Sequence, residues 1–497
     1  MNFSLLFEND LNIIIPELFF SIATMSLMVY GVVFNSSKKQ EFSVIMTNIN
    51  WISIFILVIT LLLVCNTTMN TCIFLNGSLI LDPLSHISKI LILISMISCL
   101  FISMDYIRQS AWRSYEYFIL LLFAGLGLLL LVSSYDLISM YLAIELQSLS
   151  LYVLATYQRN SAFSTEAGLK YFVLGAVSSG FLLFGSSLIY GFSGTTSFEN
   201  LCRLFNQESF YDVSYSNSFI VLGLIMLGAG LMFKLSAFPF HVWAPDVYEG
   251  SPLSTTVFFA IVPKIAIFVL FLRIYSSCFM NLINYWQSIM IVCSLGSMLL
   301  GAFAALHQKK IKRLLVYSSI GHVGYMLIGL ATGTIQGIES LLIYLMIYVV
   351  ASVNVWTIVL SVKDSRGYIR YITDFCYLSF KNPLLAITFA IGLFSMAGVP
   401  PLAGFYAKFS IFFAAMESGM FLLSFVGVLT SVVSAFYYIR IIKIMYFEKP
   451  KVWNALSLID RPRSLILGMT FVFTIIFFIN PGPLYLLAHK MSLTLIV

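Results

Sequence analysis

The sequence predicts an all-α polytopic membrane protein with about fourteen transmembrane helices. Three observations carry this. Sixty per cent of the 497 residues are apolar and only 10% are charged, against about 45–50% and about 25% in a soluble domain. Mean hydropathy is +0.97. The apolar residues gather into runs of about 20, the length that crosses a hydrocarbon core of about 30 Å. A chain of this composition cannot cover itself with polar side chains in water, which excludes a soluble enzyme, a disordered chain and a nucleic-acid binder.

Fourteen runs follow in order: 12–34, 50–65, 87–105, 117–133, 137–157, 168–191, 218–249, 252–274, 287–306, 314–333, 338–362, 383–416, 420–447 and 464–488. Met1–Asp10 carries Glu8 and Asp10 but no Lys or Arg. It resembles neither a secretory leader nor a transit peptide, so the first run reads as a retained span. The gaps between runs are too short for an independent domain, which needs about 40 residues even with help.

The basic residues orient the spans. With the N-terminus on side one, twenty of the 27 Lys and Arg fall in side-two loops, from Lys38 and Lys39 to Arg461 and Arg463. Four (Lys89, Arg203, Arg273 and Lys490) fall on side one, and Lys234, Lys264 and Lys408 lie inside spans. Such a bias marks side two as the cytoplasmic or matrix side. Both termini then lie on the opposite side.

Spans seven and twelve, at 32 and 34 residues, would be about 50 Å long as straight helices. Each contains helix breakers: Pro239 and Pro245 in FKLSAFPFHVWAPD, and Pro400 and Pro401 in GVPPLAGFYAKF. Proline removes a donor and clashes with the preceding turn. The breaks lie five spans apart, and Lys234 and Lys408 lie 174 residues apart. Five is odd, so two tandem five-span units have opposite topology, the inverted-repeat plan of secondary transporters. The expected organisation is three N-terminal spans (1–116), a first repeat (117–274), a second repeat (287–447) and a C-terminal span (464–497). Glycines in spans four and six read as close helix packing.

Ionisable groups at mid-membrane are functional candidates by default. They are Glu145, Lys234, Lys264, His322 and Lys408. For His322 a satisfied structural histidine is an equal reading. His86 and Lys89 sit near a span end, where an interfacial role is expected. His241, Asp246 and Glu249 either line an entrance or face water. Burial makes an ammonium easier to deprotonate and a nearby carboxylate opposes this, so a Glu–Lys pair that moves apart can release a proton. Histidine accepts and donates near neutral pH. Seven cysteines are scattered without CxxC spacing, no nucleotide loop or metal motif occurs, and no histidines pair as haem ligands would. Proton translocation fits better than redox chemistry.

The stretches 141–180, 233–252, VPKIAIF (262–268), 310–329 and 398–409 carry a specific resemblance. The chain resembles the antiporter-like membrane subunits of the respiratory NADH:ubiquinone oxidoreductase, complex I, over about residues 30–480. The likeness is to the long form of plant and algal mitochondria; the shorter animal form lacks the first three spans. The resemblance implies that Glu145 pairs with Lys234, Lys264 passes the proton to a central axis, His322 bridges the two halves and Lys408 serves the exit. It implies no cofactor in this chain, with FMN, iron–sulfur clusters and ubiquinone held by partner subunits. The implied partners are other membrane-arm subunits, including neighbouring antiporter-like ones, and lipids, in the mitochondrial inner membrane. Span eleven departs from the pattern, because it offers Tyr344, Tyr348 and Asn354 where relatives place a lysine or histidine. A Mrp-type cation/proton antiporter subunit and a plastid homologue remain as alternatives.

Overall fold

A computed structural model describes residues 3–35, 42–67, 69, 71–109, 115–205, 214–364, 367–376, 378–448 and 459–495. Lys38, Lys39, Arg113, Arg366, Lys449 and Lys451, which helped to orient the spans, lie outside these residues. Among the described residues thirteen helices are long and apolar enough to cross a membrane. The one expected span not among them, the twelfth, is present as two shorter pieces, Pro383–Ala397 and Ala403–Glu417.

The chain packs as two compact units. The first runs to Lys234 and resumes at Gly250–Leu282; the second comprises Leu235–Glu249 and Ile283–Leu493. The first unit holds α1 (Phe3–Asn35), α2 (Phe42–Asn66), α3 (Pro83–Gln109), α4 (Glu116–Ser133), α5 (Leu137–Ala155), α6 (Ala162–Ser193), the short α7 (Phe198–Phe205), α8 (Ser214–Leu235) and α10 (Leu253–Leu272). Every residue of α10 is buried, so it is the unit's core helix, and it passes into a π-helical stretch at Arg273–Cys278. A hairpin of β1 (Cys72–Phe74) and β2 (Leu79–Leu81) precedes α3, a small departure from an all-helical chain. Its Leu79 bridges to Ser134, and Asp136 bridges to Ser197. Asn281 donates to the carbonyl of Phe205 at 2.9 Å. These contacts gather loops that the alternation of spans assigns to one side.

The second unit holds α9 (Trp243–Gly250), which ends one residue into the first unit, then α11 (Ile283–Leu306), α12 (Ile311–Ala331), α13 (Ile335–Ser361), α14 (Leu378–Lys381), α15 (Pro383–Ala397), α16 (Ala403–Glu417), α17 (Phe421–Phe447), α18 (Arg461–Ile479) and α19 (Gly482–Leu493). Strands β3 (Lys363–Asp364) and β4 (Gly367–Tyr368) form a second small hairpin. Lys310 bridges to Tyr371, Ser379 donates to the carbonyl of Met445 at 3.1 Å, and Arg440 donates to that of Leu306 at 3.2 Å. Here too the joined loops share one expected side.

Spans seven and twelve are broken where their prolines stand. Span seven becomes α8 and α9, and span twelve becomes α15 and α16. The packing glycines of span four recur in the second unit. A Cβ on Gly127 would meet the backbone nitrogen of Gln147 at 2.8 Å, and one on Gly301 would meet that of Gly321 at 2.6 Å. Residues 127 and 301 are again 174 apart, and each lets two backbones approach closely.

Several boundaries differ from expectation: α2 starts at Phe42 rather than residue 50 and α6 at Ala162 rather than 168, and two further differences bear on charged or proline residues. The last span does not run to 488: α18 stops at Ile479 and α19 starts at Gly482. Pro481 and Pro483 flank that stop, where the missing donors end the helical ladder. The third span starts at Pro83 rather than residue 87, which places His86 and Lys89 inside a helix. Both are buried, and Lys89 makes an ion pair with Glu17 of α1. The expected interfacial role for Lys89 is replaced by a buried ion pair.

Candidate proton-relay site

On α5, Glu145, Ser148 and Tyr152 follow at i, i+3 and i+7, the spacing of one helical face. Glu145 is half-buried. Its Oε2 accepts from Ser148 Oγ at 3.2 Å, and its buried Oε1 has no hydrogen-bond partner.

Lys234 lies in the last turn of α8, where unpaired carbonyls and the negative end of the helix dipole favour a cation. It is 8% exposed. Its Nζ donates to Tyr152 Oη at 3.3 Å and sits 5.6 Å from that ring's centroid. The expected direct pairing with Glu145 is not seen. The ammonium rests on Tyr152 and the carboxylate on Ser148, one and two helical turns along the same face. The two charges thus share a surface of α5 without forming a contact ion pair.

Lys264 is 3% exposed and follows Pro263 in the wholly buried α10. The proline withholds the donor that would bond the carbonyl four residues before it, which makes the helix more polar at the lysine's own level.

In the second unit, both ring nitrogens of His322 on α12 are engaged. Nδ1 bonds Tyr344 Oη of α13 at 2.7 Å and Nε2 bonds Tyr438 Oη of α17 at 3.1 Å. A hydroxyl donates or accepts, so either tautomer of the imidazole is accommodated. His322 is therefore structurally satisfied and also able to exchange a proton on both sides; the two readings coexist.

Lys408 on α16 is 6% exposed. It donates to the carbonyl of Ala397 at 2.7 Å, the last residue of α15, and sits 5.2 Å from the Tyr325 ring centroid. The break in span twelve thus supplies a free carbonyl and a negative helix end to the lysine. A Cβ on Gly404 would fall 1.7 Å from the Ser395 carbonyl, so glycine is required where α16 starts against α15. His322 and Lys408 line one small cavity of about 20 Å³, together with Tyr344 and Tyr348 of α13 and Ser395 of α15. Span eleven accordingly contributes tyrosines where a charge was missing. Asn354 does not join them: its Nδ2 donates to Thr470 of α18 at 3.0 Å.

Several buried pairs escaped sequence reading because their partners are far apart in the chain. Besides Glu17–Lys89, Arg273 pairs with Asp82 at 2.9 Å, with side chains 2% and 6% exposed. Glu339, one turn into span eleven and overlooked as a charge there, accepts from His489 of α19 at 2.5 Å and from Ser492 at 3.2 Å. Asp246 and Glu249 settle as ion-pair partners of the basic residues that start α12: Arg313 donates to Asp246 at 3.0 Å, and Lys310 and Arg313 both contact Glu249.

Comparison with known proteins agrees with this arrangement. Residues 134–434 match the family described as NADH:quinone oxidoreductase/Mrp antiporter, TM. The chain is 48% identical to NADH-ubiquinone oxidoreductase chain 2 of Marchantia polymorpha, over 99% of this chain and 100% of the relative. The chain belongs to the chain 2 family of complex I. Subunit N of the NADH-quinone oxidoreductase of Paramagnetospirillum magneticum is 42% identical, over 96% of both chains. A chain of the solved respiratory complex I from Thermus thermophilus with bound aureothin superposes with a TM-score of 0.80 at 28% identity, over 95% of this chain and 99% of that one. A chain of the Mrp complex from Dietzia sp. reaches the same TM-score at 18% identity, over 97% of each chain, a likeness of fold alone.

Proposed function

We propose that this chain is the proton-translocating, antiporter-like chain 2 subunit of mitochondrial complex I, and that Glu145, Lys234, Lys264, His322 and Lys408 relay protons through it. One observation carries the reading. At both helix breaks a buried lysine lies beside a tyrosine and donates to a neutral oxygen, without a carboxylate in contact. A charge held in this way is not locked, because buried contact ion pairs are costly to separate. A carboxylate that approaches or recedes along α5 then decides whether Lys234 keeps its proton. The cavity joining His322 to Lys408 gives the second unit its own proton path, with Tyr344 and Tyr348 as intermediate hydroxyls.

The chain itself contributes proton-handling groups. Electron transfer from NADH to ubiquinone runs on the FMN and iron–sulfur clusters of partner subunits, and its energy reaches this subunit through neighbouring membrane-arm subunits. The basic loops face the mitochondrial matrix and both termini face the intermembrane space. The repeat boundaries are 117–274 and 287–447, with the first three spans as an addition to the repeated core.

Affinity purification of the tagged chain from its own membranes tests the assembly. Flavin fluorescence and iron–sulfur paramagnetic signals are expected to co-purify with rotenone-sensitive NADH oxidation. A flavin-free complex that exchanges Na⁺ for H⁺ would overturn this reading in favour of a Mrp-type antiporter.

A further inference from the structure

The two lysines at the helix breaks each meet one of two tyrosines that the sequence spacing also relates. Lys234 sits at the hydroxyl end of Tyr152, 3.3 Å from Oη and 5.6 Å from the ring centroid, and Lys408 lies 5.2 Å from the ring centroid of Tyr325. The lysines are 174 residues apart and the tyrosines 173. Each tyrosine comes from the second helix of its repeat, α5 or α12.

Neither ring is free to turn away. Tyr152 meets Tyr171 edge-on at 4.7 Å and Phe172 at 5.7 Å. A Cβ on Gly175 would lie 2.1 Å from its hydroxyl, so the absent side chain makes the room in which that hydroxyl sits. Tyr325 meets Phe412 edge-on at 6.0 Å, and its hydroxyl shares a 3.1 Å hydrogen bond with Thr430. These contacts fix the Tyr152 hydroxyl and the Tyr325 ring against the ammonium groups.

The two seats differ in one respect. Tyr152 offers Lys234 its hydroxyl, at the rim of the ring. Tyr325 offers only its face, because its hydroxyl is committed to Thr430 and the hydrogen bond to Lys408 comes from the Ala397 carbonyl instead. A desolvated ammonium is attracted to the electron-rich face of an aromatic ring. That attraction favours the charged lysine without the deep trap of a contact carboxylate.

We infer that Tyr152 and Tyr325 are repeat-related positioning residues, seats that hold the two break-adjacent lysines in their charged state between proton transfers. The inference rests on the proton-relay reading above. Other titratable groups face the seats: Glu145, Tyr141 and Tyr171 around the first, and His322, Tyr344 and Tyr438 around the second.

The test uses the assembled complex reconstituted in liposomes, with quinone-coupled proton pumping followed from pH 6 to pH 9. NADH oxidation by an artificial acceptor, which bypasses the membrane arm, controls for assembly. Tyr325→Leu is expected to lower pumping about tenfold and to move the alkaline limb of the profile to lower pH, since the charged lysine has lost its support. Tyr325→Phe keeps the ring and is expected to restore most of the rate and the profile. Tyr152→Phe removes the hydroxyl that meets Lys234, and is expected to do about as much damage as Tyr152→Leu. An unaltered profile in assembled Tyr325→Leu, or equal damage from Tyr325→Phe and Tyr325→Leu, would overturn the seats. Lys408→Ala separates the two claims. If it abolishes pumping while Tyr325→Leu changes nothing, the relay stands and the seats fall; if it also changes nothing, the relay itself falls.

Discussion

Glu145 shows how little charge this molecule keeps inside its spans and how specifically that charge is placed. Its carboxylate is tied by one serine hydroxyl, with the other oxygen unpartnered. Glu145→Gln keeps the shape and the serine contact but removes the charge. Coupled turnover is expected to fall at least about fivefold, the effect of about 1 kcal/mol, with assembly unchanged; NADH oxidation and quenching of a pH-sensitive dye in the same vesicles measure both. Glu17 and Lys89 behave differently, since they are buried in direct contact. Lys89→Ala leaves an uncompensated carboxylate and is expected to destabilise the N-terminal helices by about 3–5 kcal/mol. The double variant with Glu17→Ala recovers much of the loss, and thermal melts of the purified complex report it. The candidate charges were legible because a hydrophobic span excludes charge unless it has a use. Their partners were not, because 72 residues separate Glu17 from Lys89 and 150 separate Glu339 from His489. Of the two tyrosine hydroxyls on His322, Tyr344 was legible as a polar group of span eleven, while Tyr438, 116 residues away, was not.

At the scale of elements, the two broken spans were legible in their prolines and their excess length. The break at Asn480–Pro483 was missed, since apolar residues continue on both sides and hydropathy alone does not see a stop. The third span was expected from residue 87, which left out His86, a polar residue that in the helix from Pro83 is buried. The joint between α15 and α16 admits no side chain at Gly404, where a Cβ would overlap the Ser395 carbonyl. Gly404→Ala is expected to force the half-helices apart, at a cost of about 1–3 kcal/mol or more, and to disturb the position of Lys408. Reduced complex on native gels, with residual pumping lower per assembled complex than in wild type, is the expected outcome.

For the whole molecule, the count of spans and the asymmetry of basic loops predict which faces are shared, and within each unit the joined loops agree. The finer contacts that join them, such as the Arg313–Asp246 and Arg440–Leu306 bonds, depend on packing that no local pattern encodes. Sidedness is testable at Cys376, in a basic loop assigned to the matrix. Burial, together with the Glu448 and Asp374 carboxylates, raises the pKa of its thiol. Less thiolate is then present at neutral pH, and labelling should accelerate as pH rises. An impermeant maleimide is expected to spare Cys376 in sealed mitoplasts and to label it after permeabilisation, faster at pH 9 than at pH 7. Labelling in sealed mitoplasts would reverse the orientation.

The central claim is that the lysines buried at the breaks carry protons. The most direct measurement is the number of protons pumped per electron by the assembled complex with Lys234→Ala, reconstituted in sealed liposomes. The account predicts a lower ratio in a complex that still assembles and still oxidises NADH with an artificial acceptor. An unchanged ratio in that complex would contradict it.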